Sequence, residues 1–281
     1  MRGFFVAGGI LCAVTACALF AQKPFRQYPG WEHTADDGSI ALPADYKVPG
    51  EWTFARLMYP TTRLHIDWQS EQARGWDWHQ GFTNWTIDYP KSDRHLAMAI
   101  RRLTRIDARS SEQPVNVEED DDIFNYPWLY AVEVGHWELT DKQIKKLREF
   151  FDRGGFFMCD DFHGSDEWDV FVASFHKIFP ERHIVDIDSK DPIFHTVYDL
   201  DDRYQVPGMQ YTQTGRVYEK DGIGGEFRAV YDDHGRIVAA ICHNMDLGDS
   251  WENADQPIYP QKFSALGLRI GVNYVVYAMT H

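Results

Sequence analysis

Cysteine, positive charge and long hydrophobic runs are scarce in this 281-residue sequence, and each shortage excludes a class of protein. Only four cysteines occur, and Cys12 and Cys17 lie in the N-terminal segment, so the chain lacks the disulfide framework of a small secreted scaffold. The 28 Lys and Arg residues against 43 Asp and Glu residues give a net charge of -15. That charge repels nucleic acid and anionic lipid, and it is compatible with cations, sugars or a basic protein as ligands.

Motifs of several common enzyme classes are also absent. The sequence has no G-x-S-x-G elbow, no Walker A motif, no G-x-G-x-x-G motif after a strand and no H-E-x-x-H motif. Serine hydrolysis, nucleotide binding and zincin-type metal binding therefore have no support from motifs. Cys159 and Cys242 each end a hydrophobic run, and we expect both to be buried, with a bridge between them left open. Cys159 is not expected to act as a nucleophile, because the two acids that follow it raise a thiol pKa.

The N-terminus has the features of an export signal. Residues 1–21 begin with Arg2, continue with an apolar run at 4–16 and end in small residues, which predicts cleavage after Ala21. The apolar run is shorter than the roughly 20 residues that span a bilayer. Two alternatives are a lipoprotein box at 14–17, with Cys17 carrying the lipid, and an anchor that stays attached. The sequence thus predicts an exported protein, periplasmic or secreted, with membrane contact only through the signal or the lipid.

After the signal, the sequence divides into an extended arm, residues 22–50, and a single α/β domain, residues 51–281. Proline and glycine recur through the arm, and Tyr28 and Trp31 are expected to pin it to the domain. Hydrophobic runs typical of strands occur at 52–59, 115–117, 128–134, 156–159 and 184–187, with helical spacing between most of them. This alternation predicts a parallel sheet with flanking helices on both faces.

Turn and cap signals refine the predicted fold. Residues 227–231 and 237–242 flank an Asp-Asp-His-Gly turn, which predicts an antiparallel hairpin at one edge of the sheet. Ser92 or Asp93 is expected to cap one helix. Thr140 and Gln143 form a capping box that opens the next helix, and Gly154 ends it in a left-handed conformation. Residues 264–279 are predicted to form a mostly buried helix.

Polar clusters follow two of the predicted strands. Asp160, Asp161 and His163 come directly after the strand at 156–159. The strand at 237–242 is followed by a second group, which comprises His243, Asn244, Asp246, Asp249 and Glu252. Because ligands of open α/β sheets collect at the carboxyl ends of the strands, we expect both groups to line one crevice. A third group lies in the loop region between the two halves and comprises His195, Asp199, Asp201, Asp202 and Arg203.

Two interpretations of the first two groups stay open. Paired carboxylates repel each other unless a cation, an arginine or a proton separates them. The candidate catalytic residues are therefore an acid/base or metal-binding set, comprising Asp160, Asp161, His163 and His243. Alternatively, one of the two consecutive aspartates caps the next helix through backbone N–H groups, and the other has the functional role. The cofactor is unknown from the sequence, because the spacing matches no strong metal motif.

Tryptophans are concentrated between residues 61 and 90, which are predicted to form a long loop. Trp76, Trp78 and Trp85 are candidate ligand-binding residues, because aromatic faces stack on sugars and on protein partners. Asp246 and Asp249 complete the candidate ligand-binding set. The alternative is that the tryptophans only cover the edge of the sheet.

Four long segments resemble one family. FNYPWLYAVE, LTDKQIKKLREFFDRGGFFMCDDFHG, FHTVYDLDDRYQVPG and ICHNMDLGDSWE are similar to domain of unknown function 4159 (DUF4159), an uncharacterised bacterial family. The resemblance implies a flavodoxin-like fold like that of class I glutamine amidotransferases. It also places the site at the turn after the Gly-Gly strand, where amidotransferases carry a catalytic cysteine and this sequence has Asp160 and Asp161.

Two functions are compatible with these features. The first is a non-catalytic periplasmic binding or scaffolding module that holds a carbohydrate or a protein in the crevice and on the Trp-rich loop. The second is a hydrolase, with or without metal assistance, that uses the Asp and His side chains at the strand ends. Convergence of those side chains favours the second, and exposed tryptophans beside the crevice favour the first.

Overall fold

A seven-stranded sheet forms the centre of the computed structural model, which describes residues 24–33, 41–64, 68–119 and 121–281. In chain order, the strands are β1 (Ala55–Leu57), β2 (Gln113–Val115), β3 (Trp128–Val132), β4 (Phe156–Asp160), β5 (Val185–Asp186), β6 (Glu226–Tyr231) and β7 (Ile237–His243). Their spatial order is β2-β1-β3-β4-β7-β6-β5. The first five strands of that order run parallel, and β6 and β5 are antiparallel to their neighbours.

This strand order confirms the predicted fold class. The parallel part has the flavodoxin-like order, in which the chain reverses direction across the sheet between β1 and β3. The predicted hairpin is present as β6 and β7, and β5 extends the same edge. Most strands are shorter than the hydrophobic runs that predict them: the run at 52–59 contributes only three residues to β1.

Helices cover both faces of the sheet. They are α1 (Trp68–Ala73), α2 (Lys91–Leu103), α3 (Asp141–Asp152), α4 (Gly164–Ile178), α5 (Tyr211–Thr214), α6 (Leu247–Glu252) and α7 (Gln261–Thr280). Apolar residues of α2, α6 and α7 pack in one hydrophobic cluster, and those of α3 and α4 pack in the other. Side chains alternate between the two clusters along each strand, as a sheet buried on both faces requires.

The same alternation separates the two cysteines. Cys159 pairs in register with Ile241, so the next residue, Cys242, points to the opposite face of the sheet. Cys159 accordingly packs in the α3/α4 cluster and Cys242 in the other cluster. Both are buried free thiols, and they do not form a bridge. This confirms the expectation that they are small apolar residues of the core.

The predicted helix caps are confirmed for α3 and wrong for α2. Thr140 and Gln143 form the expected capping box, and Gly154 follows α3 with a φ of 91°. In contrast, α2 begins after Pro90, and Asp93 lies inside its first turn. Asp93 instead accepts hydrogen bonds from Arg56, a fully buried guanidinium on β1. A buried cation needs a paired anion, and that requirement overrides the local capping preference.

The segment 61–90 is not the unbroken loop that its composition predicts. It contains α1 and two short 3-10 helices, Trp78–Gln80 and Asn84–Thr86, and it ends at a cis peptide bond between Tyr89 and Pro90. Part of the arm packs against this segment: the ring of Tyr28 contacts that of Trp85, with the two ring centroids 5.4 Å apart.

The predicted signal at residues 1–21, including the alternative lipid-bearing Cys17, lies outside the described residues. Among the helices of the described part of the chain, none combines the length and the apolar character that crossing a membrane requires.

Candidate functional site

A cavity of about 500 Å³ lies at the carboxyl ends of the central parallel strands. Nine of its 18 lining residues are Asp or Glu. Glu133 follows β3, Asp161 follows β4 and Asp246 follows β7, so three neighbouring strands each deliver a carboxylate. Open α/β sheets bind their ligands at this position, because the loops diverge there and leave a crevice. The cavity is therefore the candidate functional site.

Left-handed backbone turns direct several of these side chains. Glu133, Asp161 and Asn244 each come directly after a parallel strand, and their φ angles are 53°, 52° and 60°. Asp88, in the loop before α2, has a φ of 60°. Non-glycine residues in this region carry strain of about 1 kcal/mol or more, and such residues cluster at functional sites. The turns end each strand sharply and give the acids their places in the cavity wall.

The two consecutive aspartates of the first predicted cluster have different environments. Asp160 is fully buried, and its Oδ2 accepts hydrogen bonds from the backbone N–H groups of Leu247 and Gly248, at 2.6 and 3.0 Å. The hydroxyl of Tyr130 donates to its Oδ1. Asp160 thus joins β4 to the first turn of α6. Asp161 lines the cavity instead, and its Oδ1 lies 3.1 Å from Nε2 of His163.

Three carboxylates from separate loops converge in the cavity. One ligand oxygen each from Asp88, Asp161 and Asp246 lies within 4.8 Å of the other two. Asp88 is only 3% exposed, and among the described residues its Oδ2 has no hydrogen-bond partner. Gly248 permits this approach, because a Cβ at that position would lie 2.1 Å from Oδ2 of Asp88. A buried carboxylate in this state requires a proton or a cation.

A second group shares Asp88. Ligand oxygens of Asp88, Asp249 and Glu252 also lie within 4.8 Å of one another. Asp249 is held by the side chain of Asn253, and Glu252 by His33 of the arm, whose Nε2 is 2.9 Å from Oε1. The two groups therefore form one continuous acidic wall, with Asp88 at its centre.

A third group is neutralised within the chain. The ring of His136 is buried between two acids, with Nδ1 at 2.7 Å from Glu133 and Nε2 at 3.3 Å from Glu167. Glu167 also pairs with Nζ of Lys220 and accepts a hydrogen bond from the backbone N–H of His163. Because a lysine lies in this group, it has less need of an added cation than the Asp88 groups have.

Burial and mutual repulsion change the pKa values of the cavity acids. Burial raises the pKa of Asp88, Asp161 and Asp246 well above the ordinary value of 3.8, and the charge of neighbouring carboxylates raises each further. Burial also raises the pKa of Asp249 to about 6 and that of Glu219 to about 7. In the absence of a cation, the cavity therefore retains protons at neutral pH.

His163 is a neutral side chain beside these acids. Burial lowers the pKa of its ring to about 3, and the positive charge of Lys220 lowers it further. Nε2 of His163 also lies 3.9 Å from Glu219, whose side chain is about one-third exposed. Glu219, a carboxylate with a pKa near 7, is therefore better suited than His163 to accept a proton at physiological pH, because a ring with a pKa near 3 is a weak base.

His243, the fourth predicted catalytic residue, does not line the cavity. It lies at the same edge of the sheet, where its ring is held between Glu226, at 2.7 Å from Nδ1, and the carbonyl of Gly164, at 3.1 Å from Nε2. The ring packs on Phe162 and Trp168. His243 can support the turn that carries Asp161. Because it does not line the cavity, it is not placed to contact a ligand there.

Of the five predicted ligand-binding residues, two line the cavity and three do not. Asp246 and Asp249 line the cavity, whereas Trp76, Trp78 and Trp85 do not. Trp85 is completely buried, and its Nε1 donates to the carbonyl of Trp78. Trp76 is 54% exposed and packs at an angle on Phe82. Of the three, only Trp76 has a largely accessible face.

The third polar group of the sequence lies outside the cavity. His195 pairs with Asp199 at 2.9 Å and with the carbonyl of Ser189, in an exposed loop. Arg203 packs over the ring of Phe194, and its guanidinium bonds to the carbonyl of Leu200. These residues stabilise the connection between the two halves of the chain.

The sequence does not indicate the cavity residues Asp88, Glu133 and Glu167, nor His136, which contacts the latter two. Glu133 lies beside a strand and Asp88 lies near Pro90, and neither has an adjacent acid in the sequence. A cluster of acids, which is the signal at 160–161, is therefore missing at both positions. A positive φ is not visible in the sequence for a residue other than glycine. Glu133 lies inside the hydrophobic run at 128–134 that predicts β3, and only the structure shows that the strand ends at Val132, one residue before it.

The comparison with protein families agrees with the segments that indicated a resemblance. The model of a family described as Domain of unknown function (DUF4159) matches residues 79–279. The chain belongs to the DUF4159 family. The matched region of this DUF4159 chain contains Asp88, Asp161, Asp246, Asp249 and Glu252. No curated protein matches the sequence.

Proposed function

We propose that the acidic cavity binds a divalent cation and that this DUF4159 domain is a metal-assisted hydrolase. The observation that carries the proposal is Asp88, a buried carboxylate with no hydrogen-bond partner for its Oδ2 within the described residues and with two further carboxylates within 4.8 Å. Burying such a group without a counter-charge costs several kcal/mol. A bound cation removes that cost and converts the repulsion among the acids into attraction.

The ligand atoms indicate which cations fit. Asp88, Asp161 and Asp246 offer only oxygen, which is the ligand atom that Mg²⁺, Ca²⁺ and Mn²⁺ prefer. A Zn²⁺ site would more commonly include histidine or cysteine. His163 lies next to this group, but its Nε2 is oriented to Asp161.

Neighbouring groups support hydrolysis over passive binding. A bound cation lowers the pKa of a coordinated water and polarises a substrate oxygen. Glu219 has a pKa of about 7, so its carboxylate can take the proton of a water in the cavity. The amidotransferase resemblance does not supply a reaction, because Asp161 occupies the turn and Cys159 is buried inside β4.

Cation binding is tested by titrating EDTA-treated protein with Mn²⁺, Mg²⁺, Ca²⁺ and Zn²⁺ in a calorimeter. We expect saturable binding of at least one of the first three, and a loss of affinity of at least about tenfold in Asp88→Asn. The matched control is Asp186→Asn, because Asp186 is an exposed aspartate paired with Arg228 on the edge strand. Absence of binding by all four cations, or equal affinities in Asp88→Asn and the control, would refute the proposal.

Hydrolysis is tested with a panel of chromogenic esters, phosphate esters and glycosides, each with Mn²⁺ and with EDTA. We expect turnover of one class that requires the cation, and a lower kcat in Glu219→Gln with unchanged cation affinity. Cation binding without any cation-dependent turnover across the panel would leave a binding role and count against the hydrolase.

A second candidate is a binding module for carbohydrate or protein, and Trp76 is the observation that favours it. Its indole is 54% exposed, in a segment that packs beside the arm residues bordering the cavity. A glycan array and a peptide screen test this role, with Trp76→Ala expected to abolish binding. Trp78→Ala is less informative, because Trp78 is partly buried and stacks on His79.

We also propose that the chain acts after export, in the periplasm or outside the cell. The apolar run and small residues of 1–21 support this location. Mass spectrometry of the N-terminus in the producing bacterium distinguishes cleavage after Ala21 from lipidation at Cys17, and an intact Met1 in the cytosolic fraction would contradict export.

A further inference from the structure

We infer that the cavity holds two divalent cations side by side, with Asp88 bridging them. This inference rests on the proposed cation-binding function and extends it from one ion to two. The first cation would lie among Asp88, Asp161 and Asp246, and the second among Asp88, Asp249 and Glu252.

The shared position of Asp88 is the geometric basis. Asp88 is the residue common to the two groups, and each group brings its ligand oxygens within 4.8 Å of one another. A carboxylate has two oxygens with lone pairs on both, so it can bind one cation through each. Oδ2 of Asp88 is buried and has no hydrogen-bond partner in the described part of the chain, so no protein donor competes for it.

The surroundings of Asp88 keep it in that position. Its backbone N–H donates to Oε2 of Glu32 at 3.1 Å, and its carbonyl accepts from Ser92 in the first turn of α2. On the other side, the backbone of Gly248 lies so close that a Cβ there would overlap Oδ2. Because the residue is fixed from both sides, it cannot turn away from the other acids to relieve their repulsion.

The charge balance of the cavity also exceeds what one dication can neutralise. Nine acids line the cavity, against two lysines. Lys220 pairs with Glu167, and Lys91 pairs with Asp255, at 3.1 Å and outside the cavity lining. The two groups that share Asp88 contain five different carboxylates, and the two lysine pairs lie outside both groups. Two dications match those five acids far better than one.

The ligands of the second position are already oriented. Asp249 accepts from the side-chain amide of Asn253 at 2.8 Å and from the backbone N–H of Met209, which fixes its carboxylate. Glu252 follows on the same short helix; its Oε1 is 2.9 Å from Nε2 of His33, and its Oε2 accepts from the side-chain amide of Asn253 at 3.3 Å. Bonds of this kind orient metal ligands and tune their affinity. Dinuclear sites of this type clamp the attacking and leaving oxygens of a substrate between two ions.

The test is the number of Mn²⁺ ions bound per chain, measured by calorimetry and by metal analysis after gel filtration of the EDTA-treated protein. We expect two ions per chain and an EPR spectrum of spin-coupled Mn²⁺. Glu252→Gln should bind one ion per chain and show an uncoupled six-line spectrum, whereas Asp88→Asn should lose affinity at both positions. Asp186→Asn should behave as wild type.

The outcomes separate the two proposals. One Mn²⁺ per wild-type chain overturns the bridged pair and leaves the proposed cation site in place. No Mn²⁺ overturns both. Two ions that persist in Glu252→Gln with coupled spectra overturn the assigned second position. Circular dichroism and the melting temperature verify that each variant is folded, and the wild-type stoichiometry decides the question even where a variant does not fold.

Discussion

Replacing Asp88 by Asn should change the stability of the protein in opposite directions with and without a cation. Asn has the same shape and tolerates the left-handed backbone that Asp88 adopts, with a φ of 60°. The substitution removes one buried charge while keeping the hydrogen bonds of the backbone at this position. Without a cation, this loss of charge is favourable. With a cation, it removes the shared ligand.

The change in the free energy of unfolding without a cation can be worked out in two ways. If Asp88 stays ionised, a second charged carboxylate within 4.8 Å costs about 3 kcal/mol at an effective dielectric constant near 20. If Asp88 takes up a proton instead, folding at pH 7 from an unfolded pKa of 3.8 costs about 4 kcal/mol. Burying the new amide cancels about 1–3 kcal/mol of this gain. We therefore expect Asp88→Asn to stabilise the cation-free protein at pH 7 by up to about 3 kcal/mol.

The pH dependence has a definite sign. The folded pKa of Asp88 is raised, so the destabilising contribution of this residue is absent below about pH 4 and develops as the pH rises above that value. The advantage of Asp88→Asn should vanish near pH 4 and grow by up to about 1.4 kcal/mol per pH unit until the raised pKa is reached. With Mn²⁺ at 100 times its Kd, wild type should gain about 2.7 kcal/mol and the variant almost none.

The assay is thermal unfolding of wild type, Asp88→Asn and Asp186→Asn at pH 5, 6, 7 and 8, in EDTA and in Mn²⁺. One kcal/mol corresponds to roughly 2–4 °C in a domain of this size, so the expected differences are several degrees. The reasoning fails if Asp88→Asn melts below wild type in EDTA at pH 7, or if Mn²⁺ raises both melting temperatures equally. Asp186→Asn should follow wild type throughout.

Three further predictions concern the fold around the cavity. Arg56→Met should lower the free energy of unfolding by about 3–5 kcal/mol in urea titrations, because Asp93 then stays buried without its cationic partner; a loss below about 1 kcal/mol would contradict this. The folded pKa of His163 is about 3, below its ordinary 6.5, so its contribution to stability is present above pH 6.5 and lost on acidification; His163→Gln should flatten the acid limb of the stability curve, and an unchanged limb would refute this. Reducing agent should leave the melting temperature unchanged, because Cys159 and Cys242 lie on opposite faces of the sheet, and a drop would indicate a bridge.

The sheet and its main helices could be predicted because their signals are local. The hydrophobic runs at β3, β4 and β7 and the capping box at Thr140 each involve a few consecutive residues. The start of α2 could not, because it depends on Arg56, which lies on a distant strand and recruits Asp93 into the core. The tryptophan-rich segment is also predicted wrongly, as one loop. The burial of Trp85 depends on tertiary contacts, and the local sequence does not display them.

The candidate site was predictable only where acids follow a recognisable strand. Asp161, Asp246 and Asp249 were expected at the crevice, and the structure brings them together there. Asp88 has no such signal, since it lies in a loop far from the other acids in the sequence. His243 has the same strand-end position as Asp161, yet its ring is held by Glu226 beside the cavity. A position at a strand end thus predicts that a residue lies at this edge of the sheet. It does not predict whether the side chain enters the cavity or packs beside it.

The opposite end of the sheet shows which property distinguishes the candidate site. A cavity of about 620 Å³ lies at the amino ends of β4 and β7, so size alone does not single out the acidic cavity of about 500 Å³. Its charges, however, are matched: Arg182 pairs with Asp233 at 3.2 Å, and Arg236 pairs with Asp232 at 3.3 Å. At the carboxyl end, the two lysines that line the cavity pair with Glu167 and Asp255 and not with Asp88, whose buried Oδ2 has no hydrogen-bond partner among the described residues. Buried acids without a counter-charge lower the stability of a protein. A cationic ligand would therefore raise the stability if it bound at the carboxyl end of the sheet, where these acids lie.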